Sequence, residues 1–272
     1  MNVPPPPPPV PAMEQQNPPA APDWAKDAVW YQVFPERFRN GAPPSDPRPE
    51  DFGGERIPGW RVSPWGMDWY GRDDWEKPRA DNFWATVFDR RFGGDLVGLR
   101  EQLPYLQSLG VNAIYLNPIF WAASLHKYDA TAYHHVDPTF GPDRAGDLRA
   151  LAAARETADP ATWIWTAADR YFLELVADVH ARGMRIILDG VFNHSGTGFF
   201  AFQDLKKNGR ASPYADWYQV TKWRDDGTFE YASWDGTGSL PNFGRDERTL
   251  NPGIQQYMFD ATRRWMDPSG QG

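Results

Sequence analysis

The 272-residue sequence contains no cysteine, no long apolar run and no excess of positive charge. Without cysteine the chain can form neither a disulfide nor a thiolate metal site. No stretch approaches the ~18 consecutive apolar residues of a membrane-spanning helix, so we expect no membrane partner. The formal net charge of −8 argues against a nucleic-acid partner, because phosphate binding requires clustered Lys and Arg.

Residues 1–23 lack the apolar segment of a signal peptide. They hold ten of the 27 prolines, which predicts a disordered tail or linker. The localisation stays open: we expect the protein to be cytoplasmic or exported by a signal that this sequence does not contain. Residues 47–92 form a second unusual segment, a long loop or small insertion rich in Trp, Pro and Gly. We expect five tryptophans to pack this segment on the rest of the molecule: Trp60, Trp65, Trp69, Trp75 and Trp84.

The remaining chain alternates predicted strands and helices, which indicates an α/β protein with a parallel sheet. Three short stretches rich in β-branched and aromatic residues, 28–34, 111–116 and 184–188, are predicted strands. Residues 96–106 place four leucines on one helical face, and residues 171–182 continue the same pattern before the third strand.

A polar cluster follows the third predicted strand, in the stretch Asp189-Gly190-Val191-Phe192-Asn193-His194. Ligands bind at this end of the strands in parallel α/β folds. An ordinary strand-end turn is the alternative interpretation. The 14 Trp and 11 Tyr offer flat faces that suit sugar rings, although aromatic side chains also fill cores.

Several stretches resemble, in the same order, the α-amylase family (glycoside hydrolase family 13), most closely its neopullulanase and cyclomaltodextrinase branch. Residues 189–194 are similar to the family's Asp-x-Val-x-Asn-His stretch. Residues 28–41 resemble its opening strand and loop, and 117–129 with 137–141 resemble its second loop. Residues 239–243 are loosely similar to the Met-Pro-Lys-Leu stretch of the neopullulanase branch.

The resemblance implies an α/β fold, namely the N-terminal portion, about three β/α units, of a TIM (β/α)8 barrel. It also implies a small inserted domain after the third strand. In this interpretation residues 24–194 form the first part of the catalytic barrel, 195–250 the inserted domain, and 251–272 the third barrel helix and a truncated end.

The resemblance further implies a retaining glycoside hydrolase or transglycosylase whose partner is an α-glucan of the starch or maltodextrin type. Such enzymes use two carboxyl groups about 5 Å apart. The family's nucleophile lies in a Gly-x-Arg-x-Asp stretch, which this sequence does not contain. We therefore expect a fragment without nucleophile or acid/base, inactive alone and prone to aggregate through an unpaired sheet edge. The oligomeric state stays open.

Four residues receive supporting roles from the resemblance. Asp189 is implied to orient the Arg that precedes the nucleophile, and His194 to hydrogen-bond the sugar. Tyr128 is implied to stack on the sugar at the bond that is cleaved. Asn193 is expected on the substrate side, where it shapes the loop.

No cofactor is required, but the resemblance suggests a calcium loop. The candidate Ca2+ ligands are Asn40 and Asp46, with Asp95, because calcium takes hard oxygen ligands in a flexible turn. Ala42 stands where related enzymes supply an Asp. A plain Asn-Gly turn is the alternative, and Asp95 is also a plausible helix N-cap.

Two other classes of function remain open. A non-catalytic carbohydrate-binding relative would keep the aromatic side chains and lack the reacting carboxylates. A metal-binding protein would use His126, His134 and His135, although no acidic or Cys residue lies beside them at zinc-ligand spacing.

Overall fold

A computed structural model describes residues 20–52, 57–247 and 249–268. Most of the predicted Pro-rich tail, residues 1–19, lies outside this range. Within the described residues, no helix has the length and apolar character needed to cross a membrane.

Three short strands form one parallel sheet in the order β1-β2-β3. They are β1 (Trp30–Val33), β2 (Ala113–Leu116) and β3 (Arg185–Leu188). Ala113 pairs with Trp30 on one side and with Arg185 on the other, so all three strands end level. The three predicted strands are confirmed. Their common carboxyl end is the edge from which the polar loops leave.

Helices cross over between the strands, as parallel pairing requires. The helices are α1 (Asp23–Lys26), α2 (Leu96–Glu101), α3 (Leu103–Ser108), α4 (Arg144–Ala153), α5 (Ala167–Ala181), α6 (Phe200–Asn208) and α7 (Pro252–Met266). Asp95 caps α2 by accepting a hydrogen bond from the Gly98 amide. Thr166 and Asp169 form a capping box at α5. The predicted cap at Asp95 is confirmed.

The core lies between the sheet and these helices. Four leucines of α2 and α3 are completely buried, which confirms the predicted face: Leu96, Leu99, Leu103 and Leu106. On α5 the predicted core residues Phe172, Leu175 and Val179 are buried, but Val176 is only half-buried. The reason is that Val176 faces an open groove beside β3.

That groove, of about 670 Å³, runs between α5, β3 and α7. Apolar side chains line it, among them Leu173, Ile187, Phe192 and Met266. Among the described residues no strand pairs with the outer edge of β3. The apolar face of β3 is therefore only half covered.

The segment after β3 contains α6 and an antiparallel hairpin, β4 (Val220–Trp223) and β5 (Phe229–Tyr231). The first strand of the hairpin begins only at Val220, because Trp217 ends a 3-10 turn that buries its ring. Phe199 of this segment packs edge-on against Tyr257 of α7, with ring centroids 5.3 Å apart. The segment thus shares the main core.

The Trp-rich segment folds around a buried ion pair. Glu76 accepts from the Arg90 guanidinium at 2.5 Å, and both side chains are almost inaccessible to water. Two of the predicted tryptophans, Trp60 and Trp75, pack inside. Three others, Trp65, Trp69 and Trp84, stay 47–68% exposed, although Trp65 and Trp69 contact the buried Phe92 ring.

Candidate functional site

The loops that leave β2 and β3 bring Tyr128 and Asp189 together. The Tyr128 hydroxyl donates to Asp189 Oδ2 at 2.9 Å, although the residues are 61 positions apart. Asn117, the first residue after β2, donates to the same hydroxyl at 3.4 Å. The contact arises because the carboxyl ends of neighbouring parallel strands share one edge of the sheet.

The surroundings of Asp189 keep the neighbouring phenols protonated. Burial, and then the hydrogen bond to Asp189, raise the pKa of Tyr128 to about 12. Burial and Asp189 also raise the pKa of Tyr115, which lies on β2. Tyr128 therefore donates to the Asp189 carboxyl across the whole physiological pH range.

A strained backbone presents Tyr128. Lys127 has φ of 61°, the left-handed region that bulky residues rarely adopt. Its ammonium is buried and donates to Asp137 Oδ2 at 2.7 Å and to the Ala122 carbonyl at 2.9 Å. His126 Nδ1 accepts from the Tyr128 amide at 3.1 Å. The sequence interpretation missed Lys127 as an anchor, because a lysine after a histidine carries no sign of burial.

His194 is buried beneath this loop with both ring nitrogens hydrogen-bonded inside the protein. Nε2 donates to the Tyr128 carbonyl at 3.1 Å, and Nδ1 accepts from the Asn193 side-chain amide at 2.9 Å. Burial lowers the pKa of His194, so the imidazole is neutral. The structure thus brings together the four residues predicted for the strand ends. We call Tyr128, Asp189, Asn193 and His194 the strand-end cluster.

Exposed aromatic rings flank the strand-end cluster. Trp234 stacks on the His194 ring with centroids 6.0 Å apart, yet 63% of its surface remains exposed. Phe192 is 42% exposed. Flat apolar faces beside hydrogen-bonding groups suit a sugar ring. Trp234 carried no motif in the sequence, and only the high Trp content could have pointed to it.

The three calcium candidates lie close together, and only part of the set suits a cation. Asn40 Nδ2 donates to Asp46 Oδ1 at 2.6 Å, while Asn40 Oδ1 is buried without a partner. A Cβ on Gly93 would lie 2.7 Å from Asp46, so the backbone encloses this spot closely. An orphaned amide oxygen beside a carboxylate fits Ca2+.

Asp95, the third candidate, already uses both carboxyl oxygens. They accept from the backbone amides of Gly98 at 2.6 Å, Ala42 at 2.8 Å and Gly41 at 3.1 Å. Burial raises the pKa of Asp95, and these hydrogen bonds oppose that effect. Asp95 therefore acts in this structure as a helix cap that also fixes the 40–42 turn.

A second polar cluster forms farther along the same loop. Both histidines are within hydrogen-bond distance of the same Glu156 oxygen, Oε2. The distance is 3.3 Å from His134 Nε2 and 2.8 Å from His135 Nε2. His135 Nδ1 lies 2.8 Å from Asp169 Oδ2. We call His134, His135, Glu156 and Asp169 the histidine–carboxylate cluster. His126, the third candidate zinc ligand, lies apart from it and contacts Ser124.

The pKa values of the two histidines in this cluster shift in opposite directions. Burial lowers the pKa of His134 to about 4. Burial acts in the same direction on His135, but the flanking carboxylates of Asp169 and Glu156 outweigh it and raise the pKa. Burial opposes ionisation of Glu156, yet hydrogen bonds from His134 and His135 lower its pKa strongly. Without a ligand, the cluster sets two buried imidazoles against two carboxylates.

Comparison with known proteins gives consistent matches. The sequence model of the alpha-amylase catalytic domain matches residues 32–158 and 167–272. The cyclomaltodextrinase of Thermoanaerobacter pseudethanolicus is 37% identical over 250 residues, which cover 90% of this chain and 33% of that protein. Neopullulanase 2 of Thermoactinomyces vulgaris is 37% identical over 92% of this chain and 34% of its own length.

Comparison with solved structures finds similar enzymes. The cyclic alpha-maltosyl-(1→6)-maltose hydrolase of Arthrobacter globiformis matches with a TM-score of 0.63 and 33% identity, over 90% of this chain and 43% of that one. The type III pullulan hydrolase of Thermococcus kodakarensis matches with a TM-score of 0.64 and 32% identity, over 89% and 36%. The chain spans about a third of the length of the curated relatives it matches.

Proposed function

The chain belongs to the alpha-amylase family, and from this premise we propose that it forms the opening part of a barrel enzyme that cleaves α-linked glucans. Its three parallel strands agree with a partial TIM barrel. The observation that carries the proposal is the hydrogen bond from Tyr128 to Asp189 at the strand ends. It joins two residues to which the family resemblance assigns roles in one sugar site.

In the proposed site the residues of this chain bind the sugar and orient the neighbouring groups, while the nucleophile and the acid/base are other residues. A retaining mechanism needs a nucleophile and an acid/base about 5 Å apart. The sequence holds no Gly-x-Arg-x-Asp stretch, so we propose that both groups come from parts of the whole protein outside these 272 residues. Asp189, held by Tyr128, orients the arginine that precedes the nucleophile, since a fixed carboxylate accepts from a guanidinium.

Tyr128 and His194 act on the sugar itself in this proposal. The half-buried Tyr128 ring supplies a stacking face, and Trp234 supplies a second one. His194 Nε2 now donates to the Tyr128 carbonyl at 3.1 Å. A sugar hydroxyl would have to share or replace that acceptor, so binding would couple His194 to the Tyr128 loop. Asn193 holds the other ring nitrogen and keeps the Nε2–H tautomer.

The experiment compares the whole protein with the 272-residue chain. We expect the whole protein to release reducing ends from maltodextrin and cyclodextrin, and a fluorinated glycosyl substrate to trap a covalent sugar adduct. The 272-residue chain should do neither, and it should aggregate more readily because the edge of β3 is unpaired. Hydrolysis by the 272-residue chain, or a cooperatively unfolding soluble monomer of it, would contradict this proposal.

A non-catalytic carbohydrate-binding protein is the second candidate, and the missing nucleophile stretch favours it. It predicts that the whole protein binds maltose with Tyr128 and Trp234 but releases no reducing ends. Binding without turnover in the assay above would therefore select this candidate.

We propose a Ca2+ ion beside Asn40 and Asp46 as a structural element. The partnerless Asn40 Oδ1 supports it, whereas Asp95 contributes by fixing the turn. We expect Ca2+ to raise the midpoint of thermal unfolding relative to EDTA, and Asp46→Asn to abolish that difference. An equal midpoint with and without Ca2+ would remove the ion from the proposal.

We also propose the domain limits 24–194, 195–250 and 251–272, with 47–92 as an insertion. The hairpin β4–β5 supports a separate small domain in 195–250, but the contact of Phe199 with Tyr257 ties it to the barrel. Limited proteolysis should cut first in the exposed turn 225–227 and leave the fragments associated. Release of a free 195–250 fragment would contradict this.

A further inference from the structure

Three donor atoms of different residues converge in the histidine–carboxylate cluster. His134 Nε2 and His135 Nε2 point at the same oxygen of Glu156, and the three ligand atoms all lie within 4.8 Å of one another. The three side chains come from two segments, and Glu156 follows α4. Convergence of two imidazole nitrogens on one carboxylate oxygen is the donor set of many zinc sites.

Each of the three residues also has its second polar atom fixed by a neighbour. His135 Nδ1 lies 2.8 Å from Asp169 Oδ2, and His134 Nδ1 lies 2.8 Å from the Tyr257 hydroxyl. The other Glu156 oxygen, Oε1, accepts from the Ile164 amide at 2.7 Å. Metal-bound histidines characteristically donate their second nitrogen to a carboxylate or other acceptor, which fixes ring orientation and tautomer.

The rings are held rigidly before any ligand arrives. His134 stacks on Trp163 with centroids 4.2 Å apart and an angle of 13° between the planes. Arg264 of α7 donates to Asp169 at 3.1 Å and thereby holds the carboxylate that orients His135. His134 and His135 are buried, whereas the Glu156 side chain keeps 16% of its surface exposed and leaves a route for a small ion.

From this geometry we propose that His134, His135 and Glu156 bind one divalent transition-metal ion of the zinc class, with water in the fourth position. Two imidazoles and one carboxylate suit zinc and its neighbours, whereas calcium and magnesium prefer oxygen ligands alone. The bound ion would join the loop that presents Tyr128 to α7, through Tyr257 and Arg264, and the proposal is independent of the proposed glucan activity.

The test is zinc binding by the whole protein, purified without an affinity tag and stripped with EDTA. Titration against a chromophoric chelator should show one equivalent of bound Zn2+. His134→Gln and Glu156→Gln should weaken binding by at least about 100-fold, and Asp169→Asn by about 10- to 100-fold, the usual cost of losing an orienting partner. The exposed residues of α5 provide matched controls, and His180→Gln and Glu174→Gln should bind like the wild type.

A second measurement needs no variant, in case the substitutions prevent folding. X-ray absorption of the zinc-loaded wild type should show two imidazole nitrogens and oxygen ligands at roughly 2.0–2.1 Å. The proposal is overturned if the wild type binds less than a stoichiometric amount at millimolar Zn2+. It is equally overturned if the spectrum shows only oxygen ligands, or if His180→Gln weakens binding as much as His134→Gln.

Discussion

The strand-end cluster and the histidine–carboxylate cluster begin on the same loop, which leaves β2 and carries both Tyr128 and His134. They are assembled in different ways. The strand-end cluster joins residues of the loops that leave the carboxyl ends of two neighbouring strands, so strand pairing brings the loops together. The histidine–carboxylate cluster joins loop residues to Glu156 and Asp169, which follow and begin helices. One cluster is placed by strand pairing and the other by helix packing.

The two clusters also differ in how far their polar and charged groups are exposed to solvent. The strand-end cluster is half-open, and its groups keep exposed aromatic neighbours. The histidine–carboxylate cluster is nearly closed and sets two buried imidazoles against two carboxylates. We therefore expect substitutions in the first to affect sugar chemistry, and substitutions in the second to affect stability.

The largest expected effect is on folding. In metal-free buffer, Asp169→Ala leaves His135 and Arg264 buried without their shared carboxylate. Breaking a buried pair in this way costs roughly 3–5 kcal/mol, and we expect urea unfolding to show a loss of that order. Glu230→Ala, which removes the exposed partner of Arg224, is the control and should change nothing measurable. Equal losses of unfolding free energy in both variants would show that the buried carboxylate stabilises the fold no more than the exposed one does.

The next effect is on turnover. In the whole enzyme, Asp189→Asn should lower kcat about 100-fold, because misplacing a catalytic group by ~1 Å has that cost. The free energy of unfolding should stay close to that of the wild type. Asp178→Asn, on the outside of α5, serves as the control for the same chemical change. Unchanged turnover would remove Asp189 from the site.

Substitution of Tyr128 should change the affinity for substrate by a smaller amount than Asp189→Asn changes turnover. Tyr128→Ala should weaken binding of a maltodextrin by ~1–3 kcal/mol, the value of a lost aromatic contact. Tyr128→Phe keeps the ring and loses only the hydroxyl that donates to Asp189, so most of the affinity should remain. Calorimetric titration compares the two variants. Full affinity in Tyr128→Ala would mean that the ring only fills space.

The smallest effect concerns pH. Burial lowers the pKa of His194 below its ordinary 6.5. The unfolded chain therefore takes up this proton at a higher pH than the folded chain. The stability from neutral His194 is complete above about pH 6.5 and is lost as the pH falls from there through the lowered folded pKa. Each tenfold difference in proton affinity between the unfolded and folded chains is equivalent to about 1.4 kcal/mol.

This pH effect can be isolated by comparing two variants. Between pH 7 and pH 5, His194→Gln should lose less unfolding free energy than the wild type. His180→Gln, which changes an exposed histidine, should follow the wild type. A wild type and His194→Gln with the same pH slope would show that His194 takes up its proton equally easily in both states.

The contrast also explains what the sequence could predict. The strands, the leucine face of α2–α3 and the cap at Asp95 follow local patterns, and all are confirmed. The meeting of Tyr128 with Asp189 follows from parallel topology once the strands are placed. These features depend on short-range periodicity and on one general rule of α/β folds.

Other features depend on contacts that no local pattern encodes. Glu156 reaches His134 and His135 only because α4 and α5 pack beside the loop, so spacing along the chain did not reveal it as a zinc ligand. The exposure of Trp65, Trp69 and Trp84 was likewise missed, because the composition of a Trp-rich segment does not show which rings face solvent. Buried polar groups are therefore the least predictable part of this chain.

The groove beside β3 has a consequence for synthesis on the ribosome. In the proposed barrel, β3 and its apolar face emerge before the strand that is to cover them. Translation adds about 5–20 residues per second, so each further 40 residues leave that edge unpaired for roughly 2–8 s. During that interval the unpaired edge of β3 can pair with a strand of another unfinished chain and start aggregation. Codon usage or chaperone contact just after β3 would then govern the yield of folded enzyme more than its final stability does.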